Sequence, residues 1–221
     1  KGHYIIGLAT SQPTVPVNRF ICADLTDPQL DKKLSSLKDI GAVHHIAAIT
    51  DPWDLSLRLL DTNIFGTRHL LELARKQDAV FVLSSSSAVY GNLPAPYKED
   101  GPVQPNNNYS LSKLVGEKLL QSYAQQYGLR ATAFRYFNTY GIREHHKGKT
   151  ASMVYHFLAS AIKEGKVVFY GDGKQKRDFI CVQDTVRAHE KAMNTRTKKA
   201  EVFNIGSGKA TEYLSIVDTI E

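Results

Sequence analysis

Apolar residues along the chain form short runs separated by stretches of helical periodicity. Residues 4–8 (YIIGL), 18–22 (NRFIC), 43–48 (VHHIAA), 79–84 (AVFVLS) and 131–134 (ATAF) read as strands. The run at 79–84 lacks polar alternation, as in a strand covered on both faces. Residues 62–77 carry Ile64, Leu70, Leu71 and Leu73, and residues 109–127 carry Leu111, Val115, Leu119 and Tyr123 four apart, so both read as helices. The second pattern stops at Gly128, a residue suited to the left-handed conformation that ends helices. Strands alternating with helices predict an α/β fold: a mostly parallel sheet with helices on both faces.

Past residue 136 the character changes, and Gly, Lys and His become frequent. Residues 141–150 and 170–177 read as ligand-facing loops. The two ends read as trimmed. Lys1-Gly2-His3 before the first strand reads as a helix C-terminus, and residues 213–221 stop within a helical pattern. No G-x-G-x-x-G is present, and Gly171-Asp-Gly173 and Gly206-Ser-Gly208 are lone G-x-G pairs.

Composition is that of a globular chain, with 42% apolar and 23% charged residues. No apolar run is long enough to cross a bilayer, so no membrane partner is expected. The net charge is +6, but basic residues are scattered and do not alternate with aromatics, which argues against nucleic acid and for an anionic small ligand. Cys22 and Cys181 lie in apolar strand-like stretches and read as reduced core thiols of a cytoplasmic protein. The histidine pairs 44–45 and 145–146 have no carboxylate or thiol at metal spacing, so no metal is expected.

Tyr109-Ser110-Leu111-Ser112-Lys113 places Tyr109 and Lys113 on one helix face. A free tyrosine titrates near pH 10, too high for a base at neutral pH, and a nearby ammonium lowers that value. Such a tyrosine can take a proton from a substrate hydroxyl while hydride leaves the same carbon. Upstream, LSSSSAVYG (83–91) ends a buried strand, and ligands of doubly wound sheets bind beyond the carboxyl ends of strands. A serine there can share the substrate oxygen with Tyr109.

With these motifs the chain resembles the NAD-dependent epimerase/dehydratase family of extended short-chain dehydrogenases, which act on nucleotide-activated sugars. The matching stretches are RFICADLTD (19–27), HHIAAITDP (44–52), DTNIFGTRHLLELA (61–74), VLSSSSAVYG (82–91), NNYSLSKLVGEKLL (107–120), RYFNTYGIRE (135–144), YGDGKQKRDFICVQD (170–184) and VFNIGSG (202–208). The resemblance implies a Rossmann-like sheet, incomplete at its N-terminus, with residues 1–138 binding the dinucleotide. Residues 139–221 would be mainly the substrate-binding part, with 177–199 returning to the core. It also implies a bound NAD (NADP is the alternative), a nucleotide-diphosphate sugar and a homodimer formed by the helices at 62–77 and 109–127.

By position, the resemblance makes Ser86 the catalytic hydroxyl, Tyr109 the base, and Lys113 its helper and a ligand of the nicotinamide ribose. Asp24 and Leu25 match the pair bordering the adenine, Ala47 and Ala48 the backbone beside the pyrophosphate, Asn63 a residue near the cofactor, and Tyr136 one at the nicotinamide end. Asn138 matches a substrate-diphosphate contact, Arg177 a phosphate-binding guanidinium, and Phe169, Tyr170 and Gly171 a substrate-contacting segment. Dehydratases of the family carry acidic residues right after the catalytic hydroxyl; here Ser87 and Ala88 follow, which points to an epimerase. REHHKGKTASMVYHF (143–157) is similar to ADP-glyceromanno-heptose 6-epimerases, in which Lys147 would be a second acid/base and His156 a substrate-side histidine. GDGKQKRDF (171–179) is closer to UDP-sugar 4-epimerases. Two departures stand out. The glycine-rich phosphate turn is absent, and Ala9 lies where an acidic ribose ligand is expected. A catalytically silent sugar-nucleotide or partner-binding module on the same scaffold is therefore the reading from another class.

Overall fold

A computed structural model describes residues 2–168 and 171–220. Strands β3 (Ala42–His45), β4 (Val80–Ser86), β5 (Ala131–Tyr136) and β8 (Ala200–Ile205) form a parallel sheet in the order β3-β4-β5-β8. β1 (Ile6–Ala9) and β2 (Arg19–Cys22) form a separate parallel pair, whose Ile6, Leu8 and Ile21 pack against the main core.

Side chains of the main sheet alternate between two apolar clusters, as strand geometry dictates. Phe81, Leu83, Ala131 and Ala133 join Leu70, Leu71 and Ala74 of α3 (Gly66–Lys76) and Leu120 of α4 (Asn108–Tyr127). That cluster also takes Leu30 and Leu34 of α1 (Leu30–Ser35). Val80, Val82 and Phe134 turn to the other face, where Ala188 and Ala192 of α6 (Val182–Ala192) cover them. Both faces are covered, as the apolar pattern predicts.

The helix read at 62–77 begins earlier. The Ser56 side chain caps α2 (Leu57–Leu60), a π-helical turn follows at Asp61–Phe65, and α3 continues from it. Gly66 lies at that junction because a Cβ there would sit 2.7 Å from Leu25 Cβ. α4 is set by a capping box: Asn107 accepts from Ser110 N at 2.8 Å, and Ser110 Oγ accepts from Asn107 N at 3.1 Å. It ends at Gly128 in the left-handed conformation, φ 66°.

A three-stranded sheet carries the later segments. β6 (Asn138–Tyr140) pairs parallel with β7 (Lys176–Cys181), and β7 pairs antiparallel with β9 (Ala210–Glu212). α5 (Met153–Glu164) and α7 (Tyr213–Ile220) meet through Phe157 and Tyr213, with ring centroids 5.5 Å apart. Among the described residues no helix is long and apolar enough to cross a membrane. Both cysteines are free, but Cys22 is exposed, contrary to its reading as a core thiol: β2 is paired on one side only. Cys181 is half-buried.

Candidate active site

Ser86 is the last residue of β4, and its hydroxyl accepts from Ala88 N at 3.1 Å to start the 3-10 turn Ser87–Tyr90. Gly91 closes that turn at φ 59°, where a Cβ would sit 1.9 Å from the Gln104 carbonyl oxygen. Only glycine fits there. Tyr109 and Lys113 occupy successive turns of α4, and Lys113 Nζ lies 5.7 Å from the centre of the Tyr109 ring.

Lys113 is buried, and Nζ donates to the Ser84 carbonyl at 2.9 Å. Burial pushes its ammonium down to about 8 from 10.5. Burial also pushes the Tyr109 phenol up, while the neighbouring Ser86 hydroxyl acts the other way. This corrects the expectation that Lys113 lowers the Tyr109 pKa. The ammonium is bonded to Ser84, and loss of water around the phenol is the larger effect.

A buried polar frame holds these groups. Ser85 Oγ donates to Glu117 Oε1 at 2.5 Å, and Glu117 Oε2 pairs with Arg135 at 2.8 Å. Arg135 also donates to the Tyr90 phenol at 2.8 Å, which in turn donates to Asn204 Oδ1 at 2.8 Å. The frame therefore ties the ends of β4, β5 and β8 to α4 and to the turn after Ser86. Glu117, Arg135 and Tyr90 escaped the sequence reading. The only sequence signal for Glu117 is its place one turn beyond Lys113.

Asn63 is buried and organises the loop after β3. Its Oδ1 accepts from Ile49 N, and its Nδ2 donates to Ile49 O and to Ser112 Oγ, each at 2.9 Å. Ala47 is exposed and Ala48 half-buried on that loop. Asp24 accepts from Thr26 N and Oγ1 at 2.9 and 2.8 Å and pairs with Arg58 at 3.1 Å. These bonds hold its carboxyl below the usual range. The Leu25 side chain is core, packed on Gly66. The Tyr136 phenol, pushed up to about 12 by burial, lies 3.3 Å from Ser84 Oγ.

The expected substrate-side residues are more dispersed. Asn138 is half-buried on β6 and donates to the Asp178 carbonyl at 2.9 Å. Arg177 is exposed on β7 and donates to the Lys176 carbonyl. Asp178 accepts from Ser207 N and Gly208 N at 2.7 and 2.9 Å, so Gly206-Ser-Gly208 is held by a carboxylate. Lys147 is exposed on the 3-10 turn His145–Thr150, 3.8 Å from Glu144. Glu144 is buried and accepts from Gly141 N and Ser152 N at 2.8 and 2.7 Å, closing the loop that carries Lys147. His156 is half-buried on α5, against Tyr155, and Gly171 is exposed at φ 82°. Phe169 and Tyr170 lie outside the described residues. A surface ion pair between Lys149 and Asp51, at 3.0 Å, joins this loop to the one after β3.

Over most of its length the chain is similar to known proteins. A curated archaeal relative, named "Putative UDP-glucose 4-epimerase" from Methanocaldococcus jannaschii, is 36% identical over 212 residues, covering 93% of this chain and 68% of its own length. The solved Helicobacter pylori ADP-L-glycero-D-manno-heptose-6-epimerase is 34% identical with a TM-score of 0.85, matching 91% of this chain and 64% of its own. The Bacillus cereus UDP-glucuronic acid 4-epimerase, solved with UDP-glucuronic acid and NAD, is 29% identical with a TM-score of 0.78, matching 92% of this chain and 64% of its own. This chain thus spans about two thirds of the length of these proteins. The profile of the NAD dependent epimerase/dehydratase family matches residues 1–206, and the chain belongs to that family.

Proposed function

We propose that this chain is the core of a nucleotide-sugar epimerase of the UDP-sugar 4-epimerase kind. The observation that carries this reading is the convergence of Ser86, Tyr109 and Lys113 at the carboxyl end of β4. Lys113 suits the diol of a nicotinamide ribose. It is a buried ammonium with no carboxylate partner among the described residues, and Ser84 takes one of its three donors. The bound nicotinamide supplies a reversible hydride acceptor. Tyr109 accepts the proton of the sugar hydroxyl as the carbinol carbon is oxidised, and returns it when the keto-sugar is reduced on its other face. Ser86 donates to the same oxygen. Burial raises the Tyr109 pKa in the free chain, so this role needs the positive charge that an oxidised nicotinamide brings.

Ser87 and Ala88 supply no acid for a second proton transfer, which favours epimerisation over dehydration. Residues 1–138 would hold the cofactor, with Asp24, Ala47, Ala48, Asn63 and Tyr136 on its side. Residues 139–221 would hold most of the sugar nucleotide, with Asn138 at the junction and Arg177 toward the diphosphate. Phe65 and Leu111, 55% and 43% exposed on the α2–α4 helices, support a homodimer through that face.

A second reading, epimerisation at C6 of an ADP-heptose, is favoured by the likeness to the Helicobacter enzyme and by Lys147 and His156 on one loop-helix unit. The test is to assay the supernatant of denatured protein for NAD(H) and NADP(H). Native protein is then incubated with added cofactor and UDP-glucose, UDP-glucuronic acid or ADP-heptose, and the epimers are separated. Tyr109→Phe should lower turnover at least about 100-fold. Lys147→Ala should matter only for the heptose. Absence of both cofactor and epimer in the full-length protein would leave a silent binding module as the reading.

A further inference from the structure

On the face of the main sheet covered by α6, four polar side chains form a continuous hydrogen-bonded row, of which the proposed reaction assigns a place only to Tyr136. Ser84 Oγ lies 3.3 Å from the Tyr136 hydroxyl. That hydroxyl bonds His189 Nε2, and His189 Nδ1 lies 2.8 Å from His44 Nδ1. The four come from β4, β5, α6 and β3. The His44 and His189 ring centres are 5.1 Å apart, and Phe134 packs edge-on against His189 at 5.4 Å.

Burial lowers the pKa of both histidines, His189 to about 4, so both rings are neutral at pH 7. A neutral imidazole carries one N–H. A contact between two Nδ1 atoms therefore works only if one ring is the Nδ1–H tautomer and the other the Nε2–H tautomer. The consequence runs along the row. With the proton on His189 Nδ1, its Nε2 is an acceptor and takes the Tyr136 O–H. With the proton on His44 Nδ1, His189 Nε2–H donates to the phenol oxygen, and the Tyr136 O–H turns to Ser84.

We propose that His44 and His189 are positioning residues for Tyr136. The single proton they share fixes which way its hydroxyl points at the nicotinamide end of the site. This rests on the reading of Tyr136 as a cofactor-side residue.

The tautomers are read from two-bond 1H–15N correlation spectra of the full-length protein at pH 7. The expected result is one Nδ1–H and one Nε2–H ring for His44 and His189, with both His44→Phe and Tyr136→Phe shifting the His189 tautomer. NAD+ titration should show His189→Leu binding about five-fold more weakly, the worth of one neutral hydrogen bond. His189→Gln, which keeps a polar group beside the phenol, should recover most of the loss. Two Nε2–H rings in the wild type, or a His189 tautomer indifferent to both neighbours, would overturn the proposal. So would unchanged NAD+ affinity in His189→Leu. Should the wild type bind no NAD+, the functional reading fails, while the spectra still decide whether the two rings share a proton.

Discussion

Ser85 Oγ donates to Glu117 Oε1 at 2.5 Å, and both side chains are almost wholly buried. This bond joins the residue before Ser86 to the helix that carries Tyr109 and Lys113. The spacing between the three candidate groups is therefore set from below by a buried bond between two side chains outside the trio. Arg135 neutralises Glu117 and braces the following turn through Tyr90.

Glu117→Gln removes the charge opposite a buried guanidinium. Breaking one side of such a pair costs about 3–5 kcal/mol. Urea denaturation should show a loss of that order. The double variant Glu117→Leu/Arg135→Met should be less destabilised than the sum of its single changes, because no charge is left unpaired.

Lys113 is a buried ammonium at about 8. Its unfolded-state value is higher, so between pH 8 and about 10.5 the unfolded chain binds more protons, and stability rises with pH across that window. Below pH 8 both states are protonated and the whole burial cost, on the order of 3 kcal/mol, is present. Lys113→Met should therefore be more stable than wild type at pH 7 and lose that advantage near pH 10.5. Urea midpoints at the two pH values check this. The same substitution should abolish NAD-dependent activity.

Three histidines are held neutral by burial: His44, His45 at about 3, and His189 at about 4. Each has a folded value below the unfolded one, so the unfolded chain takes the proton first as pH falls through 6.5. Stability should decline from there toward pH 4, by up to about 1.4 kcal/mol per pH unit for each group. Chemical denaturation at pH 7, 6 and 5 measures the slope, and His45→Gln should reduce it.

Gly91→Ala combines a positive φ with a Cβ 1.9 Å from a backbone oxygen. Left-handed strain and overpacking together should cost about 3 kcal/mol or more. The thermal midpoint should fall accordingly, and Ser86 should lose the turn that anchors its hydroxyl.

The four serines show how far the sequence could be read. A strand can be seen up to Ser84, because the run before it is apolar. The structure carries β4 on to Ser86, since Ser84, Ser85 and Ser86 pair with Phe134, Arg135 and Tyr136 of β5. Strand alternation then sends neighbouring hydroxyls to opposite faces. Ser84 joins Tyr136, Ser85 joins Glu117, and Ser86 is left at the strand end beside Tyr109. Hydropathy carries no such information, because the four residues are chemically identical. The early start of the α2–α3 helix escaped for a related reason: Ser56 caps a turn whose Leu57 is exposed and only Leu59 buried.

Local chemistry by itself determined the α/β alternation, the helix Asn108–Tyr127 and the placement of Tyr109 and Lys113 on one face, because periodicity and capping act over a few residues. Only the tertiary structure decided which way burial moves the Tyr109 pKa, where Lys113 spends its hydrogen bond, and that Glu117 and Arg135 frame the site. It alone brought His44 against His189, 145 positions away in sequence. Desolvation and such contacts depend on what the fold packs around a side chain, and no local pattern of residues encodes that.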